Sequence, residues 1–316
     1  MNNLTFTLVV ITKKSKSGSI KTRADRFVMV KRFGDALASA FPGLEAKNLK
    51  PMHVLWFVEA LREGRLSDRG KPPSAGTVKN QLSAVRWILA RLGKPNLLPA
   101  DNRSLGIAAR CYLPSASRAI YISDDELRHI RRINPRFAAS FFLMREFGLR
   151  LEESLKVIPC IADHASELAL KGSWCKNGRP RVIPIINAAQ RDALDNAHCI
   201  AGEASLVAPE TPYISARRAL TAFAKSFGIS RVHGLRHAYA QRRFAEIAGF
   251  APPLAGGPIR AEMTEAQRAA DARGRKIVSE ELGHGRPQIS TVYLGTATPR
   301  VRTADEATAD IAALIG

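Results

Sequence analysis

The sequence predicts a mainly helical protein of two domains, with a small β-sheet in the second domain. Its 316 residues exceed the usual length of one domain, and its 46% hydrophobic and 24% charged residues are typical of a globular chain. Apolar residues recur every three or four positions over residues 77–92, which is the period of an amphipathic helix. The dipeptide Asn177-Gly178 lies between residues 174–176 and 179–186, and it predicts a two-residue β-hairpin.

The charge of the chain narrows the class of partner. Lys and Arg number 48 and Asp and Glu 28, so the formal net charge is +20, which predicts nucleic acid before an anionic membrane. No apolar run is long enough to span a bilayer, and the run at residues 4–11 lacks the flanks of a signal peptide. The four cysteines form no CxxC pair. We therefore expect a cytoplasmic protein without membrane attachment, zinc ribbon or disulfide framework.

The pattern along the chain predicts where the domains lie. Residues 1–22 hold four lysines among Ser and Gly, which predicts a basic arm, either a solvated terminus or a contact to a nucleic-acid backbone. Residues 23–113 are predicted to form a helical domain, in which Thr77 caps the clearest helix and Gly93 ends it. Residues 120–316 are predicted to form the second domain, which opens on a capping box.

Two basic residues occupy positions suited to a phosphate. Arg150 lies between two predicted helices, where its guanidinium could grip two phosphate oxygens. Pairing with Glu152 or Glu153 is the alternative for this arginine. Lys176 precedes the Asn-Gly turn, from which it could reach into a groove and donate a proton, or remain an exposed turn lysine.

Two further strings carry histidines. His233 and Arg236 share a face near a predicted helix start, where backbone N–H groups favour a phosphate. His237 adds the i, i+4 spacing of a metal-binding pair, but the Glu of HExxH is missing. His284 precedes Tyr293 by nine residues, and a core tyrosine is the alternative at that position.

Taken in this order, the strings resemble the tyrosine recombinase (phage integrase) family. The matching strings are Gly148-Leu-Arg150-x-x-Glu153, Lys176-Asn-Gly-Arg-Pro-Arg-Val-Ile-Pro, His233-Gly-Leu-Arg236-His237-Ala, and Leu282-Gly-His284 followed by Tyr293. The resemblance covers roughly residues 120–294 by motif. It implies a SAM-like core-binding domain at 23–113 and a catalytic domain at 120–316. It also implies a C-shaped clamp around double-stranded DNA and a homotetramer acting on two sites.

The resemblance further implies a site-specific recombinase that cuts and rejoins DNA through a 3′-phosphotyrosyl link. Tyr293 would be the nucleophile, and no ATP, metal or other cofactor would be needed. Arg150 and Arg236 would clamp the non-bridging phosphate oxygens, and Lys176 would protonate the leaving 5′ oxygen. The remaining roles are proton transfer by His233, a hydrogen bond to the phosphate from His284, and support from Glu153 and His237.

Several features depart from the family pattern or extend it. The gap from Arg236 to His284 is longer than is usual, and the excess predicts a surface insertion near residues 250–276. Lys171 is a second candidate for the catalytic lysine. A predicted tail helix at residues 304–315 could pack on its own domain or dock in a neighbouring subunit. The residues expected to contact DNA are Lys79, Arg86, Arg91, Arg179 and Arg181.

Three other interpretations of the same residues remain open. The first is a DNA-binding protein that uses this fold without catalysis. The second is a type IB topoisomerase, which relaxes supercoils by the same chemistry without exchanging partners. The third is a metal-dependent nuclease that uses His233, His237 and His284.

Overall fold

The computed structural model describes residues 2–68, 70–109, 114, 116–284 and 287–296. The chain forms two compact units, Met1–Cys111 and Tyr112–Gly316. The predicted tail helix at residues 304–315 lies outside the described residues. Within the described part of the chain, no helix is both long and apolar enough to cross a membrane.

The first unit is a small helical domain. Its core is built from apolar side chains of all its long helices, among them Leu8, Phe33, Phe57 and Val85, which are fully buried. Phe33 and Phe57 meet edge to face with their ring centroids 4.9 Å apart. The helices are α1 (Asn3–Lys14), α2 (Ile20–Ala40), α3 (Pro51–Arg62) and α4 (Ala75–Arg91).

The N-terminal segment is different from the predicted basic arm. Residues 3–14 form α1, which begins where the Asn2 side chain accepts a hydrogen bond from the backbone N–H of Thr5. Leu4 and Leu8 are four positions apart, and both are buried in the core of the unit. Gly34 of α2 leaves room for this helix, because a Cβ there would lie 2.8 Å from Oγ1 of Thr5. Burial of the apolar residues within 4–11 therefore decides that this segment packs as a helix, although basic residues follow it.

The helix predicted over residues 77–92 is α4, with a small shift of its start. Its N-cap is Ser74, whose hydroxyl accepts from the backbone N–H of Thr77, so the prediction of Thr77 as the cap is wrong. Val78, Leu82 and Leu89 face the core as their spacing predicts.

Over its described residues the second unit is mainly helical, with one small sheet, which confirms the predicted fold class. The phenylalanine-rich α6 lies at its centre and packs against α5, α7, α9 and α11. The predicted capping box of Ser123 and Glu126 opens α5. The elements are α5 (Asp124–Ile133), α6 (Pro135–Phe147), α7 (Leu151–Lys156), α8 (Pro159–Ala162), β1 (Glu167–Leu170), β2 (Arg181–Pro184), α9 (Ala188–Ala201), α10 (Tyr213–Ser226), α11 (Gly234–Ala248), α12 (Glu265–Glu281) and α13 (Thr291–Leu294).

The sheet is an antiparallel pair, but its connection is not the predicted two-residue turn. β1 pairs with β2 from Glu167↔Pro184 to Leu170↔Arg181, so residues 171–180 form the link. Asn177 does adopt the left-handed conformation, with φ of 63°, yet it lies within a 3₁₀ turn rather than between strands. Pro180 has no N–H to donate, so pairing begins one residue later.

The segment at residues 250–276 is only partly a loop. Residues 250–264 lead away from α11, whereas residues 265–276 form the first part of α12. A Cβ at Gly274 would lie 3.0 Å from the ring of Phe244, so α12 lies close against α11. Residues 250–276, predicted as a surface insertion, thus consist of a loop followed by a helix that carries the chain directly to Leu282 and His284.

Candidate active site

Two arginines converge on the carboxyl end of α12. Arg236, in the first turn of α11, is fully buried and donates from Nη1 to the carbonyl of Gly148 at 2.5 Å. Its Nη2 donates to the carbonyl of Leu282, which also accepts from Nη2 of Arg150 at 3.2 Å. The last carbonyls of a helix have no partner within the helix and carry partial negative charge, which suits two guanidinium groups.

The side chain of Glu153 lies against these two arginines on the buried side of the site. Its buried carboxylate accepts from Arg150 at 2.6 Å and lies 3.9 Å from Nη1 of Arg236. Arg181 adds two hydrogen bonds, of 3.0 and 2.7 Å. Burial raises the pKa of Glu153, but the hydrogen bond from Arg181 and the charges of the three arginines outweigh it and lower this pKa to about 2. The carboxylate is therefore ionised at neutral pH.

Tyr293 lies beside the arginines with its hydroxyl held on two sides. The side chain is buried, with 5% of its surface exposed. Its Oη is 3.2 Å from Nε2 of His233 and 3.4 Å from Nε of Arg236. The ring stacks on His284 at an angle of 25°, and its centroid is 4.4 Å from that of His237. The short helix α13 thus brings one hydroxyl into contact with an imidazole and a guanidinium.

The three histidines around Tyr293 are neutral at pH 7. Burial and then the positive charges of Arg236 and Arg150 lower the pKa of His233 to about 4 and that of His284 to about 3. Burial, followed by repulsion from His233 when that ring is protonated, lowers the pKa of His237 to about 4. Neutral imidazoles can accept a proton, which protonated ones cannot.

The lysine-bearing link lies at the edge of this cluster. Lys176 and Lys171 are both exposed, and neither makes a hydrogen bond that reaches Tyr293. The charge of Lys176 contributes to the lowered pKa of His233, whereas Nζ of Lys171 lies 5.6 Å from the ring centroid of Trp174. Lys176 is thus close enough to His233 for its charge to act on that imidazole.

The residues expected to contact DNA fall into two groups. Arg179, Arg91 and the half-buried Lys79 keep surface available to a partner. Arg86 instead donates to the carbonyl of Pro99 at 2.9 and 2.7 Å, so it fastens the segment after α4. Arg181 is buried against Glu153, which contradicts its expected place on a DNA-binding surface. Sequence position alone did not reveal that a carboxylate lay opposite it.

Gln241 is a site residue that the motifs did not identify. Its buried amide donates to the carbonyl of Tyr293 at 3.0 Å and to the hydroxyl of Ser117 at 2.9 Å. A signal was present in the sequence, because residues 233, 237 and 241 recur at i, i+4 and i+8 on one helix face.

The structure brings together seven of the predicted residues: Arg150, Glu153, His233, Arg236, His237, His284 and Tyr293. Within the described ranges, no group of three His, Cys, Asp or Glu side chains could hold a metal ion. The arrangement offers cations for a phosphate, a hydroxyl nucleophile and neutral imidazoles as proton acceptors, so it suits transfer of a phosphoryl group to tyrosine.

Comparisons with known proteins point to the same class. The family model described as the N-terminal domain of phage integrase matches residues 1–98, and the model described as integrase matches residues 115–242. The chain therefore belongs to the phage integrase family of tyrosine recombinases and is a site-specific recombinase. No curated protein matches the chain significantly by sequence.

Solved structures share the fold at low sequence identity. A lambda integrase dimer bound to a COC′ core site matches with a TM-score of 0.58 and 15% identity, covering 94% of this chain and 79% of that one. A lambda integrase tetramer bound to a Holliday junction matches with a TM-score of 0.52 and 15% identity, covering 95% of this chain and 80% of that one. XerH site-specific recombinase bound to difH substrate matches with a TM-score of 0.52 and 14% identity, covering 99% of this chain and 85% of that one.

Proposed function

We propose that Tyr293 is the nucleophile with which this recombinase cuts and rejoins double-stranded DNA. The observation that carries the proposal is the placement of its hydroxyl, 3.2 Å from Nε2 of His233 and 3.4 Å from Nε of Arg236. A tyrosine hydroxyl has an ordinary pKa of about 10, so it needs a proton acceptor or a cationic surround to act near neutral pH. This site supplies both.

Residues of the site can account for every bond and proton of the cleavage step. The bond from Oη of Tyr293 to phosphorus forms, and the bond from phosphorus to the 5′ oxygen breaks. The phenolic proton passes to Nε2 of His233, which is neutral in the free protein. The negative charge of a bound phosphate favours the protonated form of this imidazole and so strengthens it as a proton acceptor. Lys176 donates a proton to the leaving 5′ oxygen. Attack by the 5′-hydroxyl of a partner strand reverses these steps and releases the tyrosine.

Arg150 and Arg236 stabilise the negative charge that develops on the non-bridging oxygens. Both guanidiniums are fixed by the carbonyl of Leu282 before DNA arrives, so they need little reorganisation when charge develops. His284 contacts Nη2 of Arg236 at 3.3 Å and donates a further hydrogen bond to the phosphate. Glu153 supports both arginines from the buried side, and His237 packs against the tyrosine ring.

We also propose a homotetramer in the cytoplasm, assembled on two DNA sites. The similar structures include a dimer bound to a core site and a tetramer bound to a Holliday junction, both of lambda integrase. The net charge of +20 suits the counterions that such an assembly would displace from DNA.

The test is a nicked suicide substrate that carries the cognate site, incubated in EDTA and run on a denaturing gel. We expect a covalent protein–DNA adduct that Tyr293→Phe abolishes and the exposed-residue control Tyr121→Phe retains. An adduct that persists in Tyr293→Phe would refute this nucleophile. Dependence of cleavage on added metal would favour the nuclease, and absence of any adduct would favour the non-catalytic protein.

A second assay separates recombination from relaxation of supercoils. Two linear DNA fragments of different length, each with the cognate site, should yield recombinant fragments when incubated with the wild-type chain. A type IB topoisomerase would instead relax supercoiled plasmid without such a site and would leave both fragments unexchanged.

A further inference from the structure

Arg181 has its guanidinium engaged inside the protein. It is the first residue of β2, and only 5% of its side chain is exposed. Nη1 and Nη2 make a two-pronged contact with Glu153, and Nε donates to the carbonyl of Glu281 at 2.7 Å. Nη1 also lies 3.5 Å from Sγ of Cys175. These contacts use four of the five N–H donors of the guanidinium, which leaves one for any other partner.

The contacts of Arg181 reach three parts of the site that surrounds the tyrosine. Glu153 leads to Arg150 and Arg236, and Cys175 directly precedes Lys176. Gly283 precedes His284 and lies against the stem of Arg181, since a Cβ there would be 2.8 Å from Cδ of the arginine. One side chain of β2 thus touches α7, the lysine-bearing link and the turn that carries His284.

We propose that Arg181 is a positioning residue for strand cleavage, which holds the Glu153 carboxylate so that Arg236 keeps its place beside the hydroxyl of Tyr293. This inference rests on the proposed function of Tyr293. The residue acts through Glu153 and does not touch the DNA.

The geometry of Glu153 gives the physical reason. Its Oε2 accepts from Arg181 at 2.7 Å and lies 3.9 Å from Nη1 of Arg236. Without Arg181, this buried oxygen would lose a charged partner, and the nearest replacement is Arg236. A shift of Arg236 toward Glu153 would draw its Nε away from the hydroxyl of Tyr293. Cleavage would then fall while DNA affinity, which depends on many surface cations, would change little.

The proposal is tested with Arg181→Met, Arg181→Lys and the double variant Arg181→Met/Glu153→Gln. We expect Arg181→Met to slow single-turnover cleavage by about 100-fold, the size of effect typical of a small misplacement, with the DNA dissociation constant within about threefold of wild type. Arg181→Lys should slow cleavage less than Arg181→Met does. The double variant should cleave at least about tenfold faster than Arg181→Met, because the neutral amide no longer competes for Arg236.

The matched control is Arg191→Met, which removes another arginine–carboxylate pair of the same unit. Arg191 donates to Asp163 at 3.1 Å, away from Tyr293, so cleavage should stay within about threefold of wild type. The inference is overturned if Arg181→Met cleaves like wild type, if its DNA affinity falls in parallel with cleavage, or if the double variant is no faster.

A measurement that needs no cleavage tests the same contact. Thermal unfolding of wild type, Arg181→Met, Glu153→Gln and the double variant forms a double-mutant cycle, and we expect the two substitutions to be strongly non-additive. Additive shifts in Tm would overturn the inference even if no cognate DNA site were known. Failure of the proposed function would appear differently, as a wild-type chain that forms no adduct.

Discussion

The side-chain amide of Gln241 donates a 3.0 Å hydrogen bond to the main-chain carbonyl of Tyr293, and it also bonds Ser117. Tyr293 lies on a helix of only four residues, which fixes a backbone weakly by itself. The buried amide of a neighbouring long helix therefore supplies part of the constraint that places the nucleophile.

Gln241→Leu should slow strand cleavage by about 10-fold to 100-fold, because Tyr293 loses a contact that fixes its backbone. Single-turnover formation of the covalent adduct measures this effect. The matched control is Gln190→Leu, since Gln190 is also buried and donates to a main-chain carbonyl, that of Glu146, at 3.0 Å. The control should lose stability without slowing cleavage, and equal slowing in both variants would contradict the assignment.

Gly148→Ala should destabilise the chain and slow cleavage. Gly148 has φ of 60°, and a Cβ there would lie 2.4 Å from Cδ1 of Tyr239, which is backed by the core. The left-handed strain costs about 1–2 kcal/mol, and relief of the overlap would move the carbonyl that Arg236 uses. Gly249→Ala is the control, with φ of 81° and nothing within 4 Å. Thermal unfolding should show the larger loss for Gly148→Ala, and only that variant should cleave slowly.

Arg236→Lys should reduce cleavage by about 100-fold to 1,000-fold, the usual effect of removing a preorganised donor at developing charge. Arg236 bonds the carbonyls of Gly148 and Leu282 from two separate nitrogens, and the single nitrogen of a lysine does not reproduce this fork. Arg243→Lys on the same helix is the control, because Arg243 pairs with Glu281 at 3.0 Å, a contact that lysine can keep. Near-normal cleavage by Arg236→Lys would show that only its charge matters.

The stability of the chain should fall as pH is lowered from about 6.5 to about 4. The pKa values of His233 and His237 are lowered to about 4 in the folded chain, so the unfolded chain binds more protons within this window. Stability is then complete above the ordinary histidine pKa and is lost toward the folded one. His237→Phe removes one such group, and its Tm should fall less over the same interval. Parallel curves for the two proteins would contradict this origin of the pH dependence.

Arg91 and Arg86 should behave differently when each is replaced by Ala. Arg91 is exposed, with its guanidinium carbon 4.5 Å from the ring centroid of Trp87. Its loss should weaken DNA binding and reduce the slope of log affinity against log salt by about one. Arg86 bonds the carbonyl of Pro99, so its loss should lower Tm and leave the salt slope unchanged. Titrations at several salt concentrations separate the two outcomes.

Much of the fold was predictable because its signals are local. The apolar spacing of α4 and the capping box of Ser123 and Glu126 depend on residues within one or two turns of helix. The motifs also identified the residues around Tyr293, since each string combines side chains that few other folds require together.

The features that the sequence did not predict depend on contacts between distant residues or on local preferences that compete with one another. Asn177 indicated a left-handed turn, but local preference could not tell whether strands flanked it, and Pro180 displaced the start of β2. The contact of Arg181 with Glu153 joins residues 28 positions apart, and no periodicity encodes such a pair. The basic residues near α1 predicted a solvated arm, whereas the burial of Leu4 and Leu8 makes this segment a packed helix.

Three guanidiniums and one carboxylate share the buried side of the site: Arg150, Arg181, Arg236 and Glu153. With the neighbouring imidazoles neutral at pH 7, this group has a surplus of two positive charges. A phosphodiester carries one negative charge, whereas the five-coordinate species formed by addition of a tyrosine oxyanion carries two. Because His233 takes up the phenolic proton, the total charge of the site stays the same during attack, and what changes is where the negative charge lies. It builds up on the phosphoryl oxygens that the arginines face, so the buried positive surplus stabilises the five-coordinate species more than intact DNA and favours the chemical step over the resting complex.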